Sequence, residues 1–390
     1  MRSRTILPLG LVLLLATIAG IATISWTVGQ TPPQSKSSAP AASQPPVTPH
    51  SAAPASNVKP AAFTSPEHDL ARMSPFARQI YLSAQYGADW LRCVQNPVSG
   101  RFTYGLNPAL NTPIEGEHFL HQAGATLALV RAARYFGEER YGLRAKQAIL
   151  SLMAETQLDP NDKSIRYTGL PSIAVNRLAA AALLLLAIHE LPNPADDLVQ
   201  LGEELAHFIR RQQRADGSLR YTDGDDPPND KEHEVLHTYP GLALYSLMAS
   251  QKRRPAAWKL DVVRKALPYS QAWWKARPSS AFVLWQSAAF TEAYLQTREP
   301  AFAAFVFEMN DWICSQQFVP GNTRQPAWVG GFRNVPEKPF AGWDSLPPNL
   351  ESAAVAEGLV QACRITRRLP DMQRYERYRA ALDASMSFLM

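Results

Sequence analysis

The chain has 390 residues, of which 46% are hydrophobic, so it can bury a large core. Its formal charge is +5, but four cations precede the first acidic residue, Glu67, which leaves 5 − 4 = +1 on everything after them. A near-neutral remainder excludes nucleic acid as a partner. Three cysteines without a C-x-x-C spacing are too few for a disulfide framework, and they predict no cysteine-based metal or redox site.

The first element along the chain is an uncharged run from Ile6 to Val28. At helical rise this run is long enough to cross a bilayer core of about 30 Å. Arg2 and Arg4 precede it, which by the positive-inside rule holds the N-terminus in the cytoplasm and sends the rest of the chain outward. We therefore predict a transmembrane signal anchor over residues 1–30 of a single-pass membrane protein whose C-terminal domain is extracytoplasmic. A cleaved signal peptide is the alternative.

Residues 31–66 are dominated by Pro, Ala, Ser and Thr and contain no acidic residue. Such a segment buries too little apolar surface to offset the entropy lost on ordering. It predicts a disordered linker, extended by its prolines, that holds a domain over residues 67–390 away from the membrane.

Beyond Pro75 the apolar residues recur at three- and four-residue intervals, and no convincing strand pattern of period two is present. The pattern predicts an all-α domain of eleven helices. They are expected over residues 76–94, 117–137, 140–157, 172–191, 195–213, 236–251, 257–276, 280–297, 300–317, 350–368 and 372–390.

A repeated pattern marks the ends of several of these helices: an apolar pair, a glutamine, a glycine and then further apolar residues. It predicts a hydrophobic anchor on the last helical turn, a polar exit and a turn toward the next helix. Three copies begin at Trp90, Phe208 and Trp312, with glutamines 95, 213 and 317 and glycines 100, 217 and 331, and a weaker fourth begins at Leu152 with Gln157.

The helices sort into one leading helix followed by five hairpins, which predicts an (α/α)6-like toroid of alternating inner and outer helices. A ring of six hairpins needs twelve helices, so the toroid is predicted to be one helix short. An open solenoid of stacked helical pairs is the alternative architecture.

Three sequence segments carry a resemblance to known proteins. They are residues 212–221, with Asp216-Gly217-Ser218, the Thr238-Tyr239-Pro240-Gly241 helix start, and Asn349-Leu350-Glu351. These segments resemble the α/α-toroid enzymes, a group of six-hairpin glycosidases, polysaccharide lyases, helical domains of glucuronyl C5-epimerases and terpene cyclases. The resemblance covers roughly residues 76–390. It implies a ligand site at the mouth where the inner helices begin, and it does not choose among reactions.

Polar and aromatic residues near those helix starts suit a sugar, whose faces stack on aromatic rings and whose hydroxyls need polar partners. We predict a membrane-anchored carbohydrate-active protein that processes a polysaccharide or oligosaccharide as epimerase, lyase or hydrolase, without cofactor or metal. The alternative is a non-catalytic binding or scaffold module, in which a residue such as Glu351 only complements a helix dipole. The candidate catalytic residues are Glu117, His121, His237, Tyr239, Asp344 and Glu351, and the candidate substrate-binding residues are Asn176, Arg177, Trp285, Gln286 and Trp343.

Two further motifs give minor alternatives. His233-Glu-Val-Leu-His237 matches the H-E-x-x-H pattern of zinc proteases, but Pro240 favours a helix that begins after it and so places the motif in a loop. Asp223-Gly-Asp-Asp226 has the form used by terpene cyclases that protonate an alkene, but the turn residues around it favour an exposed acidic loop.

Overall fold

A computed structural model describes residues 70–107, 109–170, 175–221, 238–336 and 340–390. Along these ranges every helix is too short or too polar to cross a membrane. The predicted anchor, the linker, the H-E-x-x-H and acidic motifs and candidate residue His237 lie outside the described residues.

The described residues contain eleven α-helices, as the apolar periodicity predicts. The helices of the first half begin with the leading helix α1, Pro75–Val94, and continue as α2 Phe119–Phe136, α3 Glu139–Met153, α4 Arg177–Glu190 and α5 Asp196–Arg211. The second half contributes α6 Thr238–Arg253, α7 Ala257–Ala276, α8 Ser280–Thr297, α9 Pro300–Ser315, α10 Glu351–Thr366 and α11 Met372–Leu389.

Two small antiparallel hairpins depart from the prediction of helices alone. Strand β1, Gly105–Asn107, pairs with β2, Thr112–Ile114, and strand β3, Thr156–Leu158, pairs with β4, Arg166–Thr168. Each strand has three residues, too few to show an alternating pattern in the sequence. The predicted helix over 140–157 accordingly ends at Met153, and the one predicted from 172 begins at Arg177.

The helices form two layers. The even-numbered helices α2, α4, α6, α8 and α10 are the inner ones, and each packs against the next, while the others lie outside them. Inner helix α4 is buried at every position from Leu178 to Glu190, as expected of a helix that is apolar all round. Outer helix α5 instead buries one face, with Leu205 and Ile209 among its buried residues.

A buried arginine connects the first and last inner helices. Arg131 of α2 donates from Nε to Glu190 Oε2 at 3.2 Å and from Nη1 to Glu357 Oε1 of α10 at 3.1 Å. Glu190, on α4, also accepts from the Tyr245 hydroxyl of α6 at 3.0 Å. Because an open solenoid would hold its first and last inner helices far apart, these bonds establish a ring.

The repeated glutamines connect successive outer helices. Gln95 donates from Nε2 to the carbonyl of Gly100 in its own loop and to that of Arg144 in α3, both at 3.0 Å. Gln213 and Gln317 make the equivalent pairs of bonds to α7 and α11. Each glutamine therefore satisfies one loop carbonyl and one carbonyl of the following outer helix.

The glycine of each repeat has a positive φ and touches the following outer helix. A Cβ on Gly217, where φ is +92°, would lie 2.1 Å from the Lys265 carbonyl oxygen, which no side chain tolerates. The equivalent glycine of the third copy is Gly330, with φ +94° against the Ala384 carbonyl, and not Gly331 as predicted. In the weaker fourth copy, Gln157 lies in β3 opposite Tyr167.

Candidate functional site

Three aromatic rings form a stack at the start of inner helix α2. The ring centroids of His118 and His121 are 4.0 Å apart, and those of His121 and Tyr104 are 5.9 Å apart with an angle of 18° between the planes. Both imidazoles are half-buried, whereas Tyr104 is 40% exposed. The stack thus begins inside the domain and ends in solvent at the mouth where the inner helices start.

Two neighbours fix this stack in place. The buried Gln122 accepts from the Phe102 amide at 2.7 Å and donates to the Phe102 carbonyl at 2.8 Å, which attaches the preceding loop to α2. Gly116 lies against the Tyr104 ring, since a Cβ there would lie 2.9 Å from the ring edge. The local sequence therefore holds Tyr104 beside His121 through a backbone clamp and a glycine.

The carboxylate of Glu117 belongs to the residue directly before His118 in the chain. Arg101 Nη1 is 3.1 Å from Glu117 Oε1, and the same guanidinium pairs with Glu155. Burial lowers the pKa of Arg101, and the charge of Glu117 opposes that shift. Glu117 is exposed on the solvent side of this pair.

Burial controls the protonation of the two imidazoles. It lowers the pKa of His118, and burial together with the charge of His118 lowers the pKa of His121 to about 4. His121 is consequently neutral at physiological pH, with one ring nitrogen that donates and one that accepts.

The other candidate residues occupy the starts of the remaining inner helices. Asn176 caps α4, where its Oδ1 accepts from the Ala179 amide at 2.9 Å and its Nδ2 donates to the Tyr221 carbonyl. Arg177 donates to the Leu170 carbonyl at 3.1 Å and lies over the Tyr167 ring. Both side chains thus donate to backbone carbonyls of neighbouring loops, at Tyr221 and Leu170.

The candidates on α6 and α8 are buried. Burial raises the pKa of Tyr239 to about 12. Trp285 is 6% exposed and stacks on Tyr245 with centroids 6.0 Å apart. Gln286 is also buried. It lies close against Gly241, where a Cβ would lie 2.9 Å from the backbone nitrogen of Gln286. These three side chains belong to the packing between inner helices.

The candidates near α10 are more open. Trp343 is half-buried and Asp344 is exposed, both in a single 3-10 turn before the helix. Glu351 is the first residue of α10, and its amide donates to Asn349 Oδ1 at 2.8 Å. Among the eleven candidates, His121 belongs to the ring stack and Glu117 lies just before it in the chain, and the catalytic or binding role of all eleven stays a prediction.

A second concave site, which the sequence did not indicate, lies at the opposite ends of the inner helices. It is a cavity of about 780 Å³ bounded by the last turns of α2, α4, α6, α8 and α10. Its floor contains Arg131, Glu190, Tyr245 and Glu292, all buried. We call it the basic basin because seven of its side chains are cationic. These are Arg131, Arg134, Lys252, Arg253, Arg364, Arg367 and Arg368.

The carboxylates of the basic basin are already paired. Glu292 lies between Lys252 and Arg364, each at 2.6 Å. Burial opposes the ionisation of Glu190, but Arg131 and Arg134 outweigh it and lower its pKa. In the sequence these cations stand near helix C-termini, where a favourable interaction with the helix dipole explains them equally well. The sequence alone therefore could not distinguish a ligand site from the stabilisation of helix ends.

Comparison with known proteins supports the fold. No family model matches the sequence, and no curated protein matches it. Among solved structures, the chain is similar to the cellobiose 2-epimerase from Spirochaeta thermophila, with 14% identity, 76% of this chain and 82% of that chain covered, and a TM-score of 0.53. The Lin0763 protein from Listeria innocua is 12% identical, with 92% and 86% covered and a TM-score of 0.52. At such identities the likeness establishes the fold, and the predicted α/α toroid is confirmed.

Proposed function

We propose that this chain is a carbohydrate-active protein that binds a glycan at the mouth where its inner helices begin. The observation that carries the proposal is the stack of Tyr104, His121 and His118, exposed at its tyrosine end. A sugar face stacks on an exposed aromatic ring, and a neutral imidazole can donate to one hydroxyl and accept from another. The similarity in fold to a cellobiose 2-epimerase supports the proposal by analogy.

The chemistry proposed for this mouth is proton transfer to or from the bound sugar. Glu117 lies two residues before the first residue of α2, and His121 is the third residue of that helix, so a carboxylate and an imidazole flank the same helix start. Epimerases, lyases and hydrolases all need such an acid and base pair. Tyr239, Asp344 and Glu351 complete the candidate catalytic set from the other helix starts.

A non-catalytic glycan-binding module is the second candidate function. The observation that favours it is the ion pair between Glu117 and Arg101, since a carboxylate held by a guanidinium is less available to a bound substrate. Glu117→Gln and Glu351→Gln separate the two candidates. An enzyme should lose turnover in these variants and keep ligand affinity, whereas a binding module should keep its biological role.

Binding at the mouth can be tested by calorimetric titration with a panel of neutral and uronic-acid oligosaccharides. We expect at least one member to bind, and Tyr104→Ala to weaken that binding about fivefold or more, because a stacking contact contributes about 1 kcal/mol or more. Tyr86→Ala is the matched control, since Tyr86 is an exposed tyrosine on outer helix α1. The proposal fails if no panel member binds, or if the two variants weaken binding equally.

We further propose that the domain is extracytoplasmic and anchored by the uncharged run Ile6–Val28, with Arg2 and Arg4 on the cytoplasmic side. Protease added outside intact cells, with the outer envelope permeabilised where there is one, should then digest the domain. Carbonate washing should leave the chain in the membrane fraction. Protection from external protease would refute this orientation.

A further inference from the structure

We infer that the basic basin is a second ligand site, distinct from the glycan mouth, which binds a small anion carrying two or three phosphate groups. The two sites lie at opposite ends of the inner helices. The basin inference therefore does not depend on the proposed glycan activity.

The positive charge of the basic basin is only partly compensated. Seven cations and two carboxylates line the cavity, a formal charge of +5, and the buried Glu357 behind Arg131 reduces it to +4 when ionised. Among the described residues, the ion pairs involve Arg131, Arg134, Lys252 and Arg364. Arg253, Arg367 and Arg368 have no carboxylate partner there, and all three are exposed at the rim. Interaction with helix dipoles explains the sign of these charges, but not their convergence on one cavity.

Neighbouring groups hold two of the unpaired arginines of the basic basin in position. Arg253 donates from Nε to the His189 carbonyl and from Nη2 to the Leu191 carbonyl, both at 3.1 Å, so its guanidinium is held by the end of α4. Arg367 lies over the Tyr375 ring, with the guanidinium carbon 5.8 Å from the centroid. Burial, and after it the nearby charge of Arg134, lowers the pKa of Arg253, as expected where cations lie close together.

The side chains of the basic basin favour phosphate as the anion. Six of the seven cations are arginines, and a guanidinium can donate two parallel hydrogen bonds to one carboxylate or phosphate group. A phosphate group carries about −1.5 to −2 charges, so two or three phosphate groups would balance the positive charge of the basic basin. About five carboxylates would be needed to balance the same charge. A cavity of about 780 Å³ holds a compact ligand of that size.

Calorimetric titration with inorganic tripolyphosphate tests the inference. We expect binding that weakens as salt is raised, and that weakens about tenfold or more in the double variant Arg367→Gln/Arg368→Gln, because this variant removes two of the guanidinium groups that line the basin. Lys265→Gln/Lys275→Gln is the control of equal charge change, on exposed positions of outer helix α7. The single variant Arg368→Gln, at an exposed position without an ion pair, covers the case in which the double variant fails to fold.

Three results would overturn the inference: no binding of tripolyphosphate, equal weakening in the basin and control variants, or cosedimentation with phosphatidylglycerol vesicles without tripolyphosphate binding. The last result would assign the arginines to a lipid surface. Because Tyr104→Ala leaves the basin intact, its titration with tripolyphosphate should match that of the unaltered protein. Failure at the mouth and failure at the basin are therefore distinguishable.

Discussion

Replacing the buried Glu357 by glutamine should change how the stability of the protein depends on pH. Glu357 is fully buried, and its hydrogen bond is from Arg131 at 3.1 Å. Burial raises its pKa from 4.5 to about 7, with Arg131 opposing the rise and Glu190 adding to it. Between these two values the folded chain binds a proton that the unfolded chain releases. The contribution of Glu357 to stability is therefore largest below pH 4.5 and falls as the pH rises toward 7.

The magnitude follows from that shift. A rise of this size corresponds to about 3 kcal/mol, most of which is lost between pH 5 and pH 8. Glu357→Gln removes the titration and keeps an oxygen that can accept from Arg131. The variant should therefore gain about 2 to 3 kcal/mol relative to the unaltered protein across that interval.

Urea denaturation at pH 5 and pH 8 measures this difference in the free energy of unfolding. Glu376→Gln, at an exposed position of α11, is the control for the loss of one carboxylate. If Glu357→Gln changes the free energy of unfolding by the same amount at both pH values, the pKa of Glu357 is not raised by its burial.

Two further substitutions test the ring and its repeats. Arg131→Met should lower the free energy of unfolding by about 3 kcal/mol, because it leaves Glu190 and Glu357 buried without their shared cation. Urea denaturation measures this loss, and a loss below about 1 kcal/mol would contradict the ring closure. Gly217→Ala should destabilise the protein by well over the roughly 1 kcal/mol expected of Gly321→Ala. Both glycines have positive φ, but only Gly217 faces a carbonyl, so equal melting temperatures would contradict the repeat geometry.

Much of the fold could be predicted from the sequence because its signals are local. The three- and four-residue period located all eleven helices, and the repeated glutamines indicated where outer helices meet their loops. The third copy shows the limit, since Gly330 and Gly331 are adjacent and only the backbone shows that Gly330, with φ +94°, makes the turn. The three-residue strands such as β1 were too short to leave a pattern.

The candidate site was less predictable because it depends on side-chain direction. Inner helices are apolar on every face, so periodicity does not tell which residues face the hollow. Trp285, a candidate substrate-binding residue, is an example, because its packing against Tyr245 inside the helical layer could not be read from the sequence. The basic basin was missed for a related reason, because the last-turn cations Arg253 and Arg364 converge only after the ring has closed.

The central claim is that a glycan binds where the inner helices begin. Hydrogen–deuterium exchange measured with and without each oligosaccharide of the panel tests it most directly. The account predicts slower exchange in the segment from Phe102 to Gln122, which holds the ring stack, and unchanged exchange from Arg364 to Arg368. Unchanged exchange in the first segment with every oligosaccharide, or protection confined to the second, would contradict it.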